Sequence, residues 1–319
     1  MILRFLVLGA LLIGADALAQ EYPARPVTVI VPFSTGSASD VMARIVLDRI
    51  APSMGQRFVV DNRPAAGGNV GTAAAAKAAP DGYTILMSAS GPLAANKVLY
   101  PGLGYDPEKD FEPISLYAKL PNVVVVSAKL PVQSLRGLVS YLKEKPATPF
   151  GSVGNGSSQH LAGAFFEQLA GVRMTHVPYR VTAQLVSDLV GGDVPVGFQL
   201  VPNVIGQLKA GQVRPLAVAS ERRLAALPSV PTAAEAGLAG YESSAWFAFL
   251  APRGTSRPIV DRLYGEIASA MGEPAVRARF AEFGAEPMAS SPEALARFIS
   301  AEVGKWREII ATAGITVDQ

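Results

Sequence analysis

The sequence predicts an α/β protein of two domains, and two observations support this prediction. Short apolar runs rich in β-branched residues recur along the chain, and a helix-like segment follows each run, as in α/β layers built on parallel sheets. The chain has 319 residues, half of them hydrophobic, which is enough for two cores at roughly 100–200 residues per domain. The predicted strands are Val27–Phe33, Phe58–Asp61, Thr84–Ser88, Val123–Ser127, Val194–Leu200, Leu216–Ser220 and Trp246–Leu250.

Residues 29–40, VIVPFSTGSASD, join the first predicted strand to the first predicted helix. Ser37 and Asp40 stand three residues apart, as in a capping box, and the apolar residues that follow share one helical face. Unpaired N–H groups and the helix dipole make such a junction suitable for binding an anion. The alternative is that Ser37 only caps the helix.

A second stretch, PFGSVGNGSSQHLAGAFF at residues 149–166, repeats this design. A strand and a glycine-rich turn lead to Ser157 as candidate N-cap, and His160 lies in the first helical turn. The glycine spacing matches neither the dinucleotide-binding motif nor the P-loop, and no lysine follows. A tight turn that needs flexible glycines is the alternative. If the two helix starts face each other, they provide neutral dipoles and hydroxyls for an organic anion.

Further segments complete the helical pattern. Leu161, Phe165 and Leu169 share a helical face that ends at Gly171, and an amphipathic helix is predicted over residues 292–313. Tyr179 and Arg180 stand at a strand end before the predicted helix Ala183–Val190. Arg180 either binds a carboxylate, or is a solvated charge, or pairs with Asp188 or Asp193.

Composition excludes several classes of protein. The chain has no cysteine, which removes disulfides, thiolate nucleophiles and cysteine metal sites. Its net charge is +2 and it has no basic run, so neither nucleic acid nor an anionic membrane surface is an expected partner. His160 and His176 are the two histidines, and no zinc or calcium motif occurs, so no metal or cofactor is predicted.

Residues 1–19 read as a removed signal peptide. Arg4 precedes an apolar run, and Ala17-Leu18-Ala19 has the small-x-small pattern of a signal-peptidase site. Asp16 interrupts the apolar run too early for a membrane anchor. The mature protein is therefore expected in soluble, exported form.

Two stretches look like crossings between domains, one near Leu120–Val123 and one near Glu242–Trp246. If both cross, residues 20–122 and 243–319 form the first domain and residues 123–242 form an inserted second domain. A hinge of this kind allows closure around a ligand.

The order of motifs resembles one protein family over nearly the whole mature chain. The segments that carry the resemblance are YPARPVTVIVPFSTGSASD, GQRFVVDNRPAAGGNVGT, PDGYTIL, YDPEKDFEPIS, GSVGNGSSQHLAGAFFEQLAG, HVPYR, RPLAVASERRLAALPSVPTAAEAG, WFAFLAPRGT and KWREIIATAGI. They are similar to the Bug or TctC family, the periplasmic solute-binding proteins of tripartite tricarboxylate transporters. The resemblance implies a two-domain periplasmic binding protein fold, of the Venus flytrap type, with a hinge and a ligand cleft between the domains.

The resemblance also implies where the ligand binds, mainly through main-chain and hydroxyl groups. The implied site residues are Phe33, Ser34, Thr35, Gly36, Ser37, Ser88, Ser90, Asn155, Gly156, Ser157, Ser158, His160, Tyr179, Thr182, Phe198 and Gln199. Two positions depart from the family, which commonly has glycine at the positions of Ser37 and Val181. Both changes add a side chain near the expected cleft.

The sequence therefore predicts a periplasmic binding protein for a small organic carboxylate, either a dicarboxylate or an aromatic acid, without catalysis. Membrane transporter subunits are the implied partners, and the protein is expected to be a monomer. One alternative is a sensor subunit that passes a liganded shape to a signalling partner. Another is a secreted hydrolase using Ser157 and His160, although the chain lacks a G-x-S-x-G elbow and an evident acid to orient the histidine.

Overall fold

The computed structural model describes residues 22–313, so the predicted signal peptide lies outside the described residues. The strands are β1 Val27–Val31, β2 Phe58–Asn62, β3 Thr84–Ala89, β4 Phe111–Pro121, β5 Val123–Ser127, β6 Thr148–Ser152, β7 Met174–Pro178, β8 Val196–Gln199, β9 Val213–Val218, β10 Ser244–Pro252 and β11 Glu286–Pro287. The helices are α1 Ala38–Met54, α2 Asn69–Ala76, α3 Asn96–Leu99, α4 Leu135–Glu144, α5 Ser158–Ala170, α6 Thr182–Gly191, α7 Val201–Lys209, α8 Arg257–Gly272, α9 Pro274–Glu282 and α10 Pro292–Ala313. Each predicted strand has an observed counterpart, and the closing helix has the predicted bounds.

Two sheets organise the described chain. The six-stranded sheet has the order β11-β4-β10-β3-β1-β2, and the five-stranded sheet has the order β7-β6-β8-β5-β9. We call the layers packed on the six-stranded sheet the first lobe and those packed on the five-stranded sheet the second lobe. The predicted α/β class is confirmed.

The sheets are mixed rather than wholly parallel. Strand β1 is parallel to β2 and β3, and β6 is parallel to β7 and β8. In contrast, β10 is antiparallel to β3 and β4, and β5 is antiparallel to β8 and β9. The reason is topological, because β5 and β10 are the strands that enter from the other lobe. Each of these two strands begins near the gap between the lobes, whereas the parallel strands of the same sheet end there.

The first sheet is buried on both faces, as the alternation along β10 shows. Phe247 and Phe249 pack with α1 and α8, whereas Trp246, Ala248 and Leu250 pack with α10 on the other face. Successive side chains of a strand point to opposite faces, so this single strand contributes to both cores. Each fully buried large apolar side chain contributes roughly 1.5–3 kcal/mol. The two cores pack against both faces of β1 and β3, whose carboxyl ends point to the gap between the lobes.

The chain passes between the sheets at two adjacent segments. Asn122, between β4 and β5, donates its backbone N–H to the carbonyl oxygen of Ser243 at 2.8 Å. Its side-chain amide also donates to the Ser243 hydroxyl at 3.1 Å. The two segments therefore run side by side.

Candidate functional site

Side chains of its own first turn fix the start of α1. Ser37 is extended, and its Oγ accepts the N–H of Asp40 at 3.3 Å, so the predicted N-cap is confirmed. The Asp40 carboxylate accepts the N–H of Gly36 at 2.9 Å, one residue before the N–H that a capping box uses. Gly36 has a φ of +75°, which favours glycine. The loop between β1 and α1 is thus held in place from within.

Asp40 places a buried negative charge at this helix start. Burial raises the pKa of Asp40, but hydrogen bonds from Arg44, Gly36 and Asn62 outweigh burial and hold the pKa below its usual range. Arg44 pairs with this carboxylate at 3.0 Å. The carboxylate already interacts with the positive end of the α1 dipole. A ligand anion therefore meets a weaker positive potential at α1 than the bare helix start would provide.

The start of α5 lacks such an internal charge. The Oγ of Ser157 accepts the N–H of His160 at 3.4 Å, which confirms Ser157 as N-cap, and no acidic residue lies in the first turn. The first N–H groups of a helix have no intrahelical acceptor. Those of Ser158 and Gln159 are therefore available to an acceptor beside the helix. Of the two predicted helix starts, α5 offers the stronger attraction for an anion.

The two histidines support the turn before α5 in their neutral form. Nδ1 of His160 accepts the N–H of Gly156 at 3.1 Å, which places the ring proton of a neutral imidazole on Nε2. Burial lowers the pKa of His160 to about 4. Burial and the neighbouring His160 ring lower the pKa of His176 to about 3, and the two ring centroids are 4.2 Å apart. At neutral pH neither ring supplies a positive charge to a ligand.

The geometry around Ser157 does not support the hydrolase alternative. The hydroxyl of Ser157 caps the backbone of His160, while the ring nitrogen Nδ1 of that residue accepts from Gly156. The His160 ring therefore hydrogen-bonds to the turn before α5 and not to the Ser157 hydroxyl, as a general base would. Within residues 22–313, no group of three or more His, Cys, Asp or Glu side chains is arranged to hold a metal ion.

The starts of α1 and α5 line one small cavity between the lobes, which we call the inner cavity. Its polar lining consists of Ser37, Ser39, Ser157, Ser158, Gln159 and Asn203, and its apolar lining includes Phe33, Val153, Leu200 and Phe247. No charged side chain lines it. Residues from both predicted helix starts thus border the same cavity. The cavity measures about 20 Å³, close to the space of one water molecule.

Hydrogen bonds between the lobes keep the inner cavity this small. The hydroxyl of Ser34 lies 3.0 Å from that of Thr182 and accepts the N–H of Thr182 at 3.1 Å. The N–H of Ala38, in the first turn of α1, donates to Oδ1 of Asn203 at 2.7 Å. These contacts join the first lobe to the starts of α6 and α7. The structure therefore represents the lobes in contact rather than apart.

Two glycines allow the backbones of the lobes to approach closely. A Cβ atom added to Gly67 would lie 2.0 Å from the carbonyl oxygen of Asn155, and one added to Gly91 would lie 2.2 Å from that of Gly156. Real Cβ atoms do not approach backbone oxygen so closely, so only glycine fits at both positions. We call these four residues the glycine seam. The hydroxyl of Tyr100 also donates to the Asn155 carbonyl oxygen, at 3.2 Å.

A larger space adjoins the inner cavity on the other side of Phe33 and Val153. This outer cavity has a volume of about 580 Å³ and is lined by Pro32, Ser34, residues 64–68, residues 100–102, residues 153–155 and residues 178–180, in addition to Phe33. Both lobes contribute to it. A further cavity of about 690 Å³ lies at the crossing segments, where Pro121, Ser243 and Trp246 line it, and no predicted site residue borders it.

The structure brings about half of the predicted site residues to the inner and outer cavities. Those that line one or both are Phe33, Ser34, Ser37, Asn155, Ser157, Ser158 and Tyr179. Gly36, Gly156, His160 and Thr182 lie behind them and hold the turns through the hydrogen bonds described above. Ser90 is buried between Ala89 and Gly91, which both line the inner cavity.

Three further predicted residues line neither cavity and have partners elsewhere. Phe198 is fully buried in the core of the second lobe, where its ring contacts those of Phe150 and Phe166, so the expectation that it lines the cleft is corrected. The hydroxyl of Ser88 is fully buried 3.1 Å from that of Thr72. The hydroxyl of Thr35 is exposed and donates to Asn62. Each of these side chains is occupied by a partner within its own lobe.

Three more side chains named in the sequence analysis lie at or near the second lobe's edge of the cleft. Nε2 of Gln199 is buried without a hydrogen-bond partner in the described chain, while Oε1 accepts from Asn203 at 3.3 Å. Val181 is 48% exposed and lines neither cavity, so it adds no bulk there. Arg180 lines the outer cavity and forms no ion pair with Asp188 or Asp193 within the described residues. Instead, Asp188 accepts from Tyr179 at 2.6 Å.

Ser39, Gln159 and Asn203 are polar residues of the inner cavity that the sequence reasoning missed, and Asn203 is the one that lies on a helix not considered before. It lies in the first turn of α7, directly after β8, so it belongs to a third helix start at the same edge of the sheets. The signal was present, since the carboxyl ends of parallel strands meet at one edge of a sheet. The glycine seam was missed for a different reason, because a close approach between lobes leaves no mark in local sequence.

Comparison with known proteins identifies the family. Residues 42–315 match the family model of the tripartite tricarboxylate transporter family receptor, TctC. Protein BugT of Bordetella pertussis is 38% identical over 304 residues, which are 95% of this chain and 93% of BugT. The solved structure of the periplasmic binding protein BugD is 34% identical with a TM-score of 0.88, covering 92% of this chain and 99% of that chain.

A further solved structure, the R. palustris protein Rpa4515 with adipate, is 39% identical with a TM-score of 0.90 and covers 93% of this chain and 99% of that chain. Among residues 22–313, no helix has both the length and the apolar character needed to cross a membrane. The resemblance noted in the sequence and the expectation of a binding protein rather than an enzyme are confirmed by the family match. This chain belongs to the tripartite tricarboxylate transporter family receptors, a family of periplasmic solute-binding proteins.

Proposed function

We propose that this protein binds a small organic carboxylate, either a dicarboxylate or an aromatic acid, between its two lobes and delivers it to a tripartite tricarboxylate-type transporter. The observation that carries the proposal is the inner cavity, where the starts of α1 and α5 meet and no charged side chain intrudes. Helix starts and hydroxyls are suitable groups for binding a carboxylate. The relative Rpa4515, solved with adipate, supports the same class of ligand.

The carboxylate binds at the start of α5. The N–H groups of Ser158 and Gln159 donate to its oxygens, and the hydroxyls of Ser37 and Ser157 surround it together with Asn203. Each hydrogen bond to a charged group contributes roughly 1.5–3 kcal/mol. The other predicted residues that border the two cavities contact the rest of the ligand.

Binding requires the lobes to separate and close again. An inner cavity of about 20 Å³ admits no dicarboxylate, so the hydrogen bonds between the lobes must open first. The adjacent crossing segments at Asn122 and Ser243 provide the hinge. The moving bodies are residues 20–122 with 243–319 and residues 123–242. A ligand that contacts both bodies stabilises the closed arrangement over the open one.

The test is a thermal-shift screen of carboxylates, followed by calorimetry on the best ligand. A ligand at 100 times its Kd stabilises the folded protein by about 2.7 kcal/mol. Replacing Ser157 with leucine removes a hydroxyl and obstructs the α5 start, so we expect Ser157→Leu to abolish measurable binding. Ser134→Leu is the matched control, because Ser134 also caps a helix of the second lobe through Gly137 but lines neither cavity. Equal binding by both variants contradicts the proposed site.

A further inference from the structure

The outer cavity adjoins the inner cavity, and Phe33 and Val153 stand between the two. The two spaces share Phe33 and Val153 in their linings, so a molecule at the start of α5 that is long enough to pass these side chains would enter the outer cavity. The walls there are largely apolar, with prolines at positions 32, 64, 101 and 178. Its volume of about 580 Å³ is of the size that small-molecule sites require.

The charge of the outer cavity is unbalanced. Arg180 is the one ionisable acidic or basic side chain among the described residues that line it. The carboxylate of the neighbouring Asp188 does not pair with Arg180. It accepts hydrogen bonds from Tyr179 at 2.6 Å and from Gln184 at 2.7 Å instead. Arg180 makes no ion pair in the described chain. A guanidinium without a counter-ion beside apolar walls favours an anionic group at the far end of a hydrocarbon body.

We propose that Arg180 is a specificity residue that binds the distal carboxylate of a ligand whose proximal carboxylate lies at the start of α5. The inference rests on the proposed function and refines its ligand class to an extended α,ω-dicarboxylate. The proximal end is recognised by neutral dipoles and the distal end by an ion pair. A short diacid does not reach Arg180. A monocarboxylate of matching length fills the space between the apolar walls but has no second anionic group to pair with Arg180.

Calorimetry with a series of ligands tests the inference. The ligands are succinate, adipate and suberate, with hexanoate and octanoate as monocarboxylates of matching length. The variants are Arg180→Gln and, as a control, Arg173→Gln, which removes an exposed cation of the second lobe outside both cavities. We expect Arg180→Gln to lose about fivefold in affinity for the best long diacid, as for an exposed ion pair. Its affinity for the monocarboxylates should be unchanged.

The outcomes separate this inference from the proposed function. Equal loss for diacids and monocarboxylates, or no loss for any diacid, overturns the role of Arg180 while leaving carboxylate binding intact. If the unmodified protein binds none of these acids and none of a wider carboxylate library, both proposals are overturned. A loss confined to the longer diacids, together with unchanged binding by Arg173→Gln, supports the assignment. Arg180 is exposed, so its substitution should leave the melting temperature unchanged.

Discussion

Asn203 and Ala38 join the two lobes at the candidate site. The side-chain oxygen of Asn203, in α7, accepts the backbone N–H of Ala38, in the first turn of α1, at 2.7 Å. An amide oxygen thus occupies the position at the α1 start where a ligand oxygen was expected. Together with Asp40, it leaves α1 largely satisfied from within the protein. The two helix starts therefore differ: the α1 start contacts the other lobe, whereas the N–H groups at the α5 start remain open to the proposed ligand.

Removing this contact should weaken ligand binding. Asn203→Ala leaves the N–H of Ala38 without its acceptor when the lobes close, which costs the closed arrangement about 1 kcal/mol. We expect a roughly fivefold rise in Kd for the best carboxylate, measured by calorimetry. Lys209→Ala is the control, because Lys209 is exposed near the end of the same helix. Tighter binding by Asn203→Ala would show instead that Asn203 competes with the ligand for this N–H.

A single methyl group at Gly91 should prevent closure. Its Cβ would lie 2.2 Å from the carbonyl oxygen of Gly156 in the opposite lobe, and backbone cannot yield as a flexible side chain can. Since no positive φ is recorded for Gly91, alanine is tolerated within its own lobe. Solution scattering with saturating ligand should show compaction of the unmodified protein and none of Gly91→Ala.

Gly265→Ala provides the control for that experiment. Gly265 lies in α8, and an added Cβ there meets nothing within 4 Å. This variant should compact on ligand binding as the unmodified protein does, and it should be slightly more stable, since alanine is favoured over glycine in helices by up to about 1 kcal/mol. Compaction of Gly91→Ala by the same amount would contradict the glycine seam as the closing contact.

The sequence predicted elements where one local signal dominates. Strand β5 has the predicted bounds because four consecutive valines form a fully buried run. Helix α10 has them because Pro292 starts it and its apolar residues recur at helical spacing. Strand β4 was not predicted, since Pro113 and Pro121 within it are typical of breaks and edges. It forms because β10 supplies a long antiparallel partner from far along the chain.

The sequence predicted the N-caps at the helix starts correctly, but it did not predict which strand side chains are buried in the core. Ser37 and Ser157 carry a local capping signal that fixes where their hydroxyls lie. Phe198 and Gln199 are neighbours in β8 and so point to opposite faces, which means that a single cleft does not receive both. Deciding which of them approaches the cleft requires knowing where the second lobe packs, and periodicity does not contain that information. The partner of Ala38 depends on the same long-range arrangement.

Ligand preference should follow the apolar part of the lining. Phe33 and Val153 separate the inner from the outer cavity, and Leu200 and Phe247 border the inner one. These walls favour a hydrocarbon or aromatic body between charged ends. Citrate carries a third carboxylate and a hydroxyl against such walls, so we expect it to bind at least tenfold more weakly than adipate in calorimetry. Tight binding of citrate without affinity for longer or aromatic acids would contradict this expectation.

Acid should destabilise the turn before α5 through its histidines. The pKa of His160 is lowered to about 4 and that of His176 to about 3, against an ordinary value of 6.5, because both rings are buried. Between pH 6.5 and these values the unfolded chain binds protons that the folded chain does not, so stability falls as pH falls. The contribution of the neutral rings to the free energy of unfolding is fully present above pH 6.5. For His160 it amounts to about 3 kcal/mol and is lost by about pH 4.

His160→Asn tests this dependence, because the asparagine side chain provides an acceptor close to the position of Nδ1 and does not titrate. We expect the variant to retain the hydrogen bond from Gly156 and to show a flatter fall of unfolding free energy between pH 6.5 and 4. One fewer proton taken up on unfolding reduces the slope by about 1.36 kcal/mol per pH unit. Urea denaturation at several pH values measures the slope, and carboxylate binding at pH 7.5 should persist in the variant because the ring is neutral there. An unchanged slope would show that His160 titrates normally and that burial does not govern its protonation.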